Sequence, residues 1–339
     1  MKKGFVLLFL LLLVFTAASA EDTDYEDAPG HYRPLTLEDT VGTVINHPLW
    51  QGIGADMYVN GQNPGVLRSI SGWTIEKFYA RFDPITTLES LNYLIDCVNA
   101  GEITVYPTLY TEDEIARDAT KAYPKAVFYQ GEASKPLAVV CAGGAFNSVV
   151  SNVEGFPYAM ELHRRGYSAL VLRYRVSIDY AQEPARDDII RDAAHDLARA
   201  LTLLREMGVQ LENYTMFGSS AGGRLISDFA YAQVIGTPQE LGLPAPATVN
   251  AIYGLDSSLE IRPGTETIGL FTIVGKQDEY FDYVEVERKA TELKGILGEE
   301  NVSFTLYGED YLHGLGLGRG TSGEGWMDDA IAFWEAHMR

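Results

Sequence analysis

The 339-residue chain has little cysteine, few histidines and a shortage of positive charge, and each shortage excludes something. Two cysteines, Cys97 and Cys141, allow one disulfide at most, so no disulfide framework can hold the fold. Neither sits in metal-ligand spacing, and Cys141 ends an apolar strand pattern; it is expected as a buried free thiol, and no structural metal is expected. Lysine and arginine number 26 against 47 aspartates and glutamates, a net charge of −21. Nucleic acid and anionic membrane surfaces both require a basic face, so neither is expected as a partner. Otherwise the acidity points to solubility and says little about substrate.

Long apolar runs are also scarce. The single long one lies near the start, where Lys2 and Lys3 precede an unbroken run from Phe5 to Phe15 and then Ala18-Ser19-Ala20. This layout predicts a secretory signal peptide over residues 1–20, cleaved after Ala20, and hence export to the medium, periplasm or cell envelope. A membrane span needs about 20 apolar residues, more than this run supplies before the acidic Glu21-Asp22-Thr23-Asp24. No cysteine follows that would carry a lipid anchor. Residues 21–34 are acidic, show no apolar period, and are expected to be a flexible lead-in. Residues 35–101 form an N-terminal extension of mixed pattern with one helical stretch, 87–98.

From residue 102 to 339 the text changes, and strand-like runs alternate with helical ones. Strands are expected at 103–110, 126–130, 137–141, 168–172, 214–217, 249–253, 270–274 and 302–306. Helices are expected at 158–165, 188–207, 221–233, 283–297 and 327–337. The strands are nearly continuous Val/Ile/Leu runs, which suit a mostly parallel sheet of about eight strands with helices on both faces, an α/β architecture.

Chemistry concentrates at strand ends. Gly218-Ser219-Ser220-Ala221-Gly222 follows one strand pattern and opens a helix. A serine presented for attack needs a tight strand-to-helix turn, and small residues two positions before and after it permit that turn, which points to Ser220 as nucleophile. A second turn, Cys141-Ala142-Gly143-Gly144-Ala145-Phe146, also follows a strand. Its N–H groups can approach a ligand closely, so Gly144, Ala145 and Ala221 are the expected donors to an oxyanion.

A hydroxyl nucleophile needs a base, and there are six histidines. His31 lies in the lead-in, His163 and His195 fall in helical patterns, and His337 ends the last helix; His47 lies in the extension. His313 follows the last strand in a glycine-rich loop, matching the chain order serine, acid, histidine. The acid should lie between them at a strand end, where Asp278 fits best; Asp256 is the runner-up, Glu279 a further alternative, and Asp282 lies further along.

These residues resemble the α/β-hydrolase superfamily and, within it, the bacterial esterases related to hormone-sensitive lipase. The likeness runs from about residue 102 to the end. It extends to a group of bacterial α/β hydrolases through Glu154-Gly155-Phe156-Pro157-Tyr158-Ala159, Leu172-Arg173-Tyr174-Arg175-Val176, the serine turn, the run His313 to Gly318, Gly320-Thr321 and Glu324-Gly325-Trp326. The resemblance implies a triad of Ser220, Asp278 and His313, an oxyanion loop at Gly143 to Ala145, and ester cleavage without a cofactor. One departure is plain: the esterases' His-Gly-Gly-Gly reads Ala142-Gly143-Gly144-Ala145 here. Tyr174-Arg175 matches those esterases' Tyr-Arg pair, whose expected role is to anchor the strand end to an acid such as Asp196. Phe146, Phe156, Tyr158 and Trp326 are candidates for a pocket wall or for the core.

The sequence thus predicts a serine hydrolase of carboxylic esters acting on small-molecule or carbohydrate esters, with short acyl groups favoured. A serine peptidase and a non-catalytic binding protein on the same fold are the rivals. A peptidase of the dipeptidyl kind would bring a larger extra domain than residues 35–101 supply, and a binding protein would show a broken triad.

Overall fold

The computed structural model describes residues 25–57, 64–180, 182 and 184–339. The leader and its cleavage site lie outside them. From residue 25 the expected lead-in is instead ordered. Strands β1 (Glu26–Ala28) and β2 (His31–Tyr32) pair antiparallel. The Tyr32 N–H donates to Asn99 Oδ1 at 2.9 Å, Asn99 Nδ2 returns a 2.9 Å bond to the Tyr32 carbonyl, and the rings of Tyr25 and Tyr32 each meet His47 edge-on at 4.8 Å. Two tyrosines in an acidic stretch are enough to dock it, a packing signal that net charge conceals.

Among the described residues the extension holds four α-helices, α1 (Val41–Ile45), α2 (Pro64–Ile70), α3 (Ile75–Tyr79) and α4 (Pro84–Asn99). Thr40, Thr74 and Asp83 cap α1, α3 and α4 by accepting from exposed N–H groups of the first turn, and Pro84 occupies the first position of α4, where no N–H is needed. Packing does not break at the expected boundary near residue 101. Val41, Trp50, Tyr79 and Leu94 of the extension share one buried cluster with Val127, Tyr129 and Phe156 of the following region.

The eight-stranded sheet comprises β3 (Ile103–Tyr106), β4 (Lys125–Tyr129), β5 (Leu137–Cys141), β6 (Ser168–Arg173), β7 (Thr215–Ser219), β8 (Thr248–Ile252), β9 (Gly269–Gly275) and β10 (Val302–Tyr307), in the order β10-β9-β8-β7-β5-β6-β4-β3. Every pairing is parallel except those of β4 with β3 and β6. Strand β3 stops four residues before the expected end, because Pro107 offers no ladder N–H. The remaining helices are α5 (Glu112–Arg117), α6 (Phe156–Arg164), α7 (Arg186–Glu206), α8 (Ala221–Ala230), α9 (Tyr283–Leu297) and α10 (Trp326–Ala336).

Both faces of the sheet are covered. In β5, Leu137, Val139 and Cys141 join the cluster containing α7, α8 and α9, whereas Ala138 and Val140 join that of α6, α10 and the extension. Successive side chains point to opposite faces, so a strand buried on both must be apolar throughout. Helix α7 buries Ile190, Ala193, Leu197, Ala200 and Leu204, spaced by three and four as one helical face requires. Among the described residues no helix is long and apolar enough to cross a membrane. Both cysteines are buried and free.

Candidate active site

Four strands of this sheet end in loops that meet. At the end of β7, Ser220 occupies φ 50°, ψ −118°, a conformation that costs a non-glycine residue of order 1–3 kcal/mol. The surrounding glycines explain how the turn closes. A Cβ on Gly218 would stand 2.4 Å from the Gly222 carbonyl oxygen, one on Gly222 would stand 1.9 Å from that of Cys141, and one on Gly254 would stand 2.6 Å from that of Ser220. The Ser220 N–H donates to the Ile252 carbonyl at 2.9 Å, tying the strained residue to β8.

His313 arrives on the loop after β10 and Asp278 on the loop after β9. His313 Nε2 lies 2.9 Å from Ser220 Oγ, and its Nδ1 lies 2.9 and 3.1 Å from the two Asp278 carboxylate oxygens. Asp278 is further fixed by the N–H groups of Tyr280 and Phe281, each 2.9 Å from Oδ1, and its side chain is 1% exposed. The other acids are engaged elsewhere: Asp256 binds Arg224 and Ser258, Glu279 meets Arg81 at 3.3 Å, and Asp282 caps α9. Tyr253, Tyr280 and Phe281 surround the imidazole with ring centroids at 4.8, 4.7 and 5.8 Å.

The loop after β5 runs alongside. Gly144, Ala145 and Phe146 all have positive φ, at 135°, 57° and 58°. Carbonyls of this loop accept from Asn147, Ser148, Val150 and Ser177, and Tyr174 Oη donates to the Ala142 carbonyl at 2.7 Å. Gly143 is pressed so close to the serine that an added Cβ would lie 3.0 Å from Ser220 Cβ. Its N–H is already given to Glu154 Oε2, at 2.6 Å. Among the described residues, the N–H groups of Gly144, Ala145 and Ala221 donate to no protein acceptor. A cavity of about 480 Å³ opens beside Ala145, lined also by Phe146, Asn147, Ser177, Arg186 and Ile189 among others.

The loops occupy one end of a mostly parallel sheet, and known structures share that plan. An esterase from Thermogutta terrifontis, Est2, with propionate bound, superposes with a TM-score of 0.54 at 16% identity, over 69% of this chain and 94% of that one. A putative carboxylesterase from Lactobacillus plantarum gives 0.51 at 17% identity, over 69% and 97%. The chain has the α/β-hydrolase fold. No family model and no curated protein matches its sequence.

Within this hydrolase fold, the side chains flanking the loops divide into anchors and core. Arg175 binds Asp196, with Nη2 2.8 Å from Oδ1, and Tyr110 Oη donates to the same oxygen at 2.7 Å, so this arginine anchors the end of β6. Arg173 is paired with Asp179 at 2.5 Å. Phe156, Tyr158 and Trp326 are core residues on the α6 face, whereas Phe146, also buried, lines the cavity.

Cys97 Sγ, a Glu102 oxygen and a His163 nitrogen lie within 4.8 Å of one another, between α4 and α6. Both ring nitrogens of His163 have partners, Nδ1 facing Tyr93 Oη at 2.9 Å and Cys97 Sγ at 3.7 Å, and Nε2 the Gln130 carbonyl at 3.0 Å. Burial pushes the Cys97 thiol up to about 12. This is a hydrogen-bonded tie between extension and sheet domain.

Sequence reasoning gave no role to Tyr253 and named Glu154 only as part of a matching motif. The available signal was an acid inside the apolar run Val153-Glu154-Gly155-Phe156 and a tyrosine next to the last residue of β8. Glu154 is 2% exposed; burial pushes its carboxyl above the usual range, while hydrogen bonds from Tyr253 and Gly143 pull it back.

Proposed function

We propose that the chain hydrolyses carboxylic esters through an acyl-enzyme on Ser220. The observation that carries this reading is the unbroken line from Ser220 Oγ through His313 to Asp278, beside three unpaired N–H donors. Asp278 holds the Nδ1–H tautomer, which leaves Nε2 as the base. His313 takes the serine proton as Oγ attacks the ester carbon, and the carbonyl π pair moves to oxygen. The N–H groups of Ala221, Gly144 and Ala145 receive that charge. Collapse expels the alcohol, which takes the proton from His313 Nε2. Water, deprotonated by the same nitrogen, then attacks the acyl carbon and releases acid and free serine.

Support also comes from structural neighbours described as esterases, one of them with propionate bound. We assign the cavity beside Ala145 and Phe146 to a short acyl group, and the leaving-group side to the region over His313. There Tyr280, a residue 69% exposed, places its ring 4.7 Å from the imidazole. An exposed aromatic beside the leaving group suits a ring-bearing alcohol such as a carbohydrate. The leader sequence supports an exported enzyme acting on an extracellular or envelope ester.

The test is hydrolysis of p-nitrophenyl acetate, butyrate and octanoate by the chain from Glu21, beside Ser220→Ala. Loss of the nucleophile is expected to lower turnover on the order of 10⁶-fold, and acetate is expected to outrun octanoate. Equal rates for the two proteins, or no ester turnover, would move the reading to a peptidase or to a binding protein.

A further inference from the structure

Glu154 stands out as a fully buried acid that no step above uses. It belongs to the single π-helical turn Ser151–Gly155 that leads into α6, and this turn lies against two of the loops that build the site. On one side, Val150 donates to the Gly143 carbonyl at 2.9 Å. On the other, Gly316 packs so near that a Cβ there would lie 2.7 Å from the Val153 carbonyl oxygen.

The carboxylate connects three loops at once. Oε2 accepts from the Gly143 N–H at 2.6 Å, and Oε1 accepts from Tyr253 Oη, also at 2.6 Å. Tyr253 Oη in turn accepts the Gly316 N–H at 3.2 Å, so its single proton is committed to Glu154. The Tyr253 ring meanwhile packs against His313. One side chain therefore sets the oxyanion loop, the end of β8 and the histidine loop relative to one another. An apolar residue could fill the volume, but it would leave the Gly143 N–H and the Tyr253 hydroxyl buried without acceptors.

The consequence for the oxyanion donors is geometric. Ala145, directly after Gly144, sits at positive φ, a conformation that a non-glycine residue does not adopt for its own sake. Anchoring the preceding N–H to a fixed carboxylate decides where the next two point. We propose that Glu154 is a positioning residue for transition-state stabilisation: through Gly143 and Tyr253 it holds the Gly144 and Ala145 N–H groups in register with Ser220 and His313. The inference rests on the ester-hydrolase reading.

The experiment uses Glu154→Gln, Glu154→Leu and Tyr253→Phe in the chain from Glu21, with active sites counted by phosphorylation with paraoxon. Glutamine can still accept from Gly143 while its amide faces Tyr253, so it is the conservative variant. Per titrated site, kcat on p-nitrophenyl acetate is expected to fall about tenfold in Glu154→Gln and about 10²-fold in Glu154→Leu, with KM within about twofold, in line with the loss or misplacement of one oxyanion donor. Tyr253→Phe, which keeps the ring on His313, should show a smaller loss of the same kind.

The readout that separates positioning from folding is an alkyl trifluoromethyl ketone. Ser220 Oγ adds to its carbonyl carbon, the π pair moves to oxygen, and the serine proton passes to His313, so the adduct places an oxyanion in the hole. Its Ki should rise by the same factor as kcat/KM falls in each variant. Variants whose titrated sites keep wild-type kcat and Ki would overturn the proposal. So would losses accounted for entirely by fewer titratable sites, which is the mark of a merely structural role. If the wild type turns over no ester, the hydrolase reading itself fails and takes this inference with it; if it does and Ser220→Ala does not, only the inference is at stake.

Discussion

The two loops that flank the proposed reaction centre leave neighbouring parallel strands, β5 and β7, and both hold non-glycine residues at positive φ, yet they are held there differently. The serine turn strains one residue and secures it by close backbone approach at glycines: Gly218 against Gly222, Gly222 against Cys141, and Gly254 against Ser220. The loop after β5 strains Ala145 and Phe146 in succession and is secured by side chains, Glu154 on the Gly143 N–H and Tyr174 on the Ala142 carbonyl. A strained turn can be enforced by the absence of side chains or by the presence of particular ones. The first kind of device leaves a short motif in the sequence, and the second does not.

The sharpest break of this comparison is Gly222→Ala. Position 222 lies in α8, where alanine would ordinarily gain about 1 kcal/mol over glycine. Here the new Cβ meets the Cys141 carbonyl oxygen at 1.9 Å, and no rotamer can relieve a backbone contact. We expect a destabilisation of about 3 kcal/mol in urea unfolding and a loss in kcat/KM of at least about 10²-fold, a reversal of the helix-propensity sign. A stabilised, active variant would show that the turn tolerates side chains and erase the contrast.

Tyr174→Phe acts on the other loop. It removes the hydroxyl that donates to the Ala142 carbonyl at 2.7 Å and keeps the ring packed on Phe146. A loss of about 1–2 kcal/mol in stability is expected, with kcat on p-nitrophenyl acetate reduced several-fold and KM little changed. Were kcat untouched while stability fell, the tyrosine would serve the core alone and the loop would be held in place without it.

The smallest effect belongs to Ala145→Gly. Relief of the left-handed strain at φ 57° gains about 1 kcal/mol, and the extra freedom of the unfolded glycine takes back a similar amount. Stability should change by less than about 0.5 kcal/mol and kcat/KM by less than about twofold, measured by thermal unfolding and ester kinetics. A large loss would mean that the Cβ itself anchors the loop, bringing it closer in kind to the serine turn.

The same division runs through what could be read from residues alone. Strands β5, β6 and β9 are legible because burial on both faces forces nearly continuous apolar runs, and α9 is met at both ends because Asp282 caps it and Gly298 follows it. Ser220, Asp278 and His313 could be named because each follows a strand. Chain order narrowed the acid, but it did not exclude Asp256; Arg224, which binds that carboxylate, comes from another element. The ordered hairpin at residues 26–32 was hidden behind acidic composition, since its partner Asn99 lies 67 positions away.

By itself the sequence determined the alternation of strand and helix, the sharp turn at Ser220 and the chain order of Ser220, Asp278 and His313, because these depend on the period of burial and on glycine's missing side chain, which are local properties. Only the tertiary structure decided that Gly143 spends its N–H on Glu154 while Gly144 and Ala145 keep theirs, that Tyr253 joins the histidine loop to the oxyanion loop, and that the extension shares the sheet's core. Those outcomes depend on which buried donor meets which acceptor across separations of eleven to ninety-nine residues. A hydrogen-bonding partner at that distance is chosen by packing, not by its neighbours in the chain.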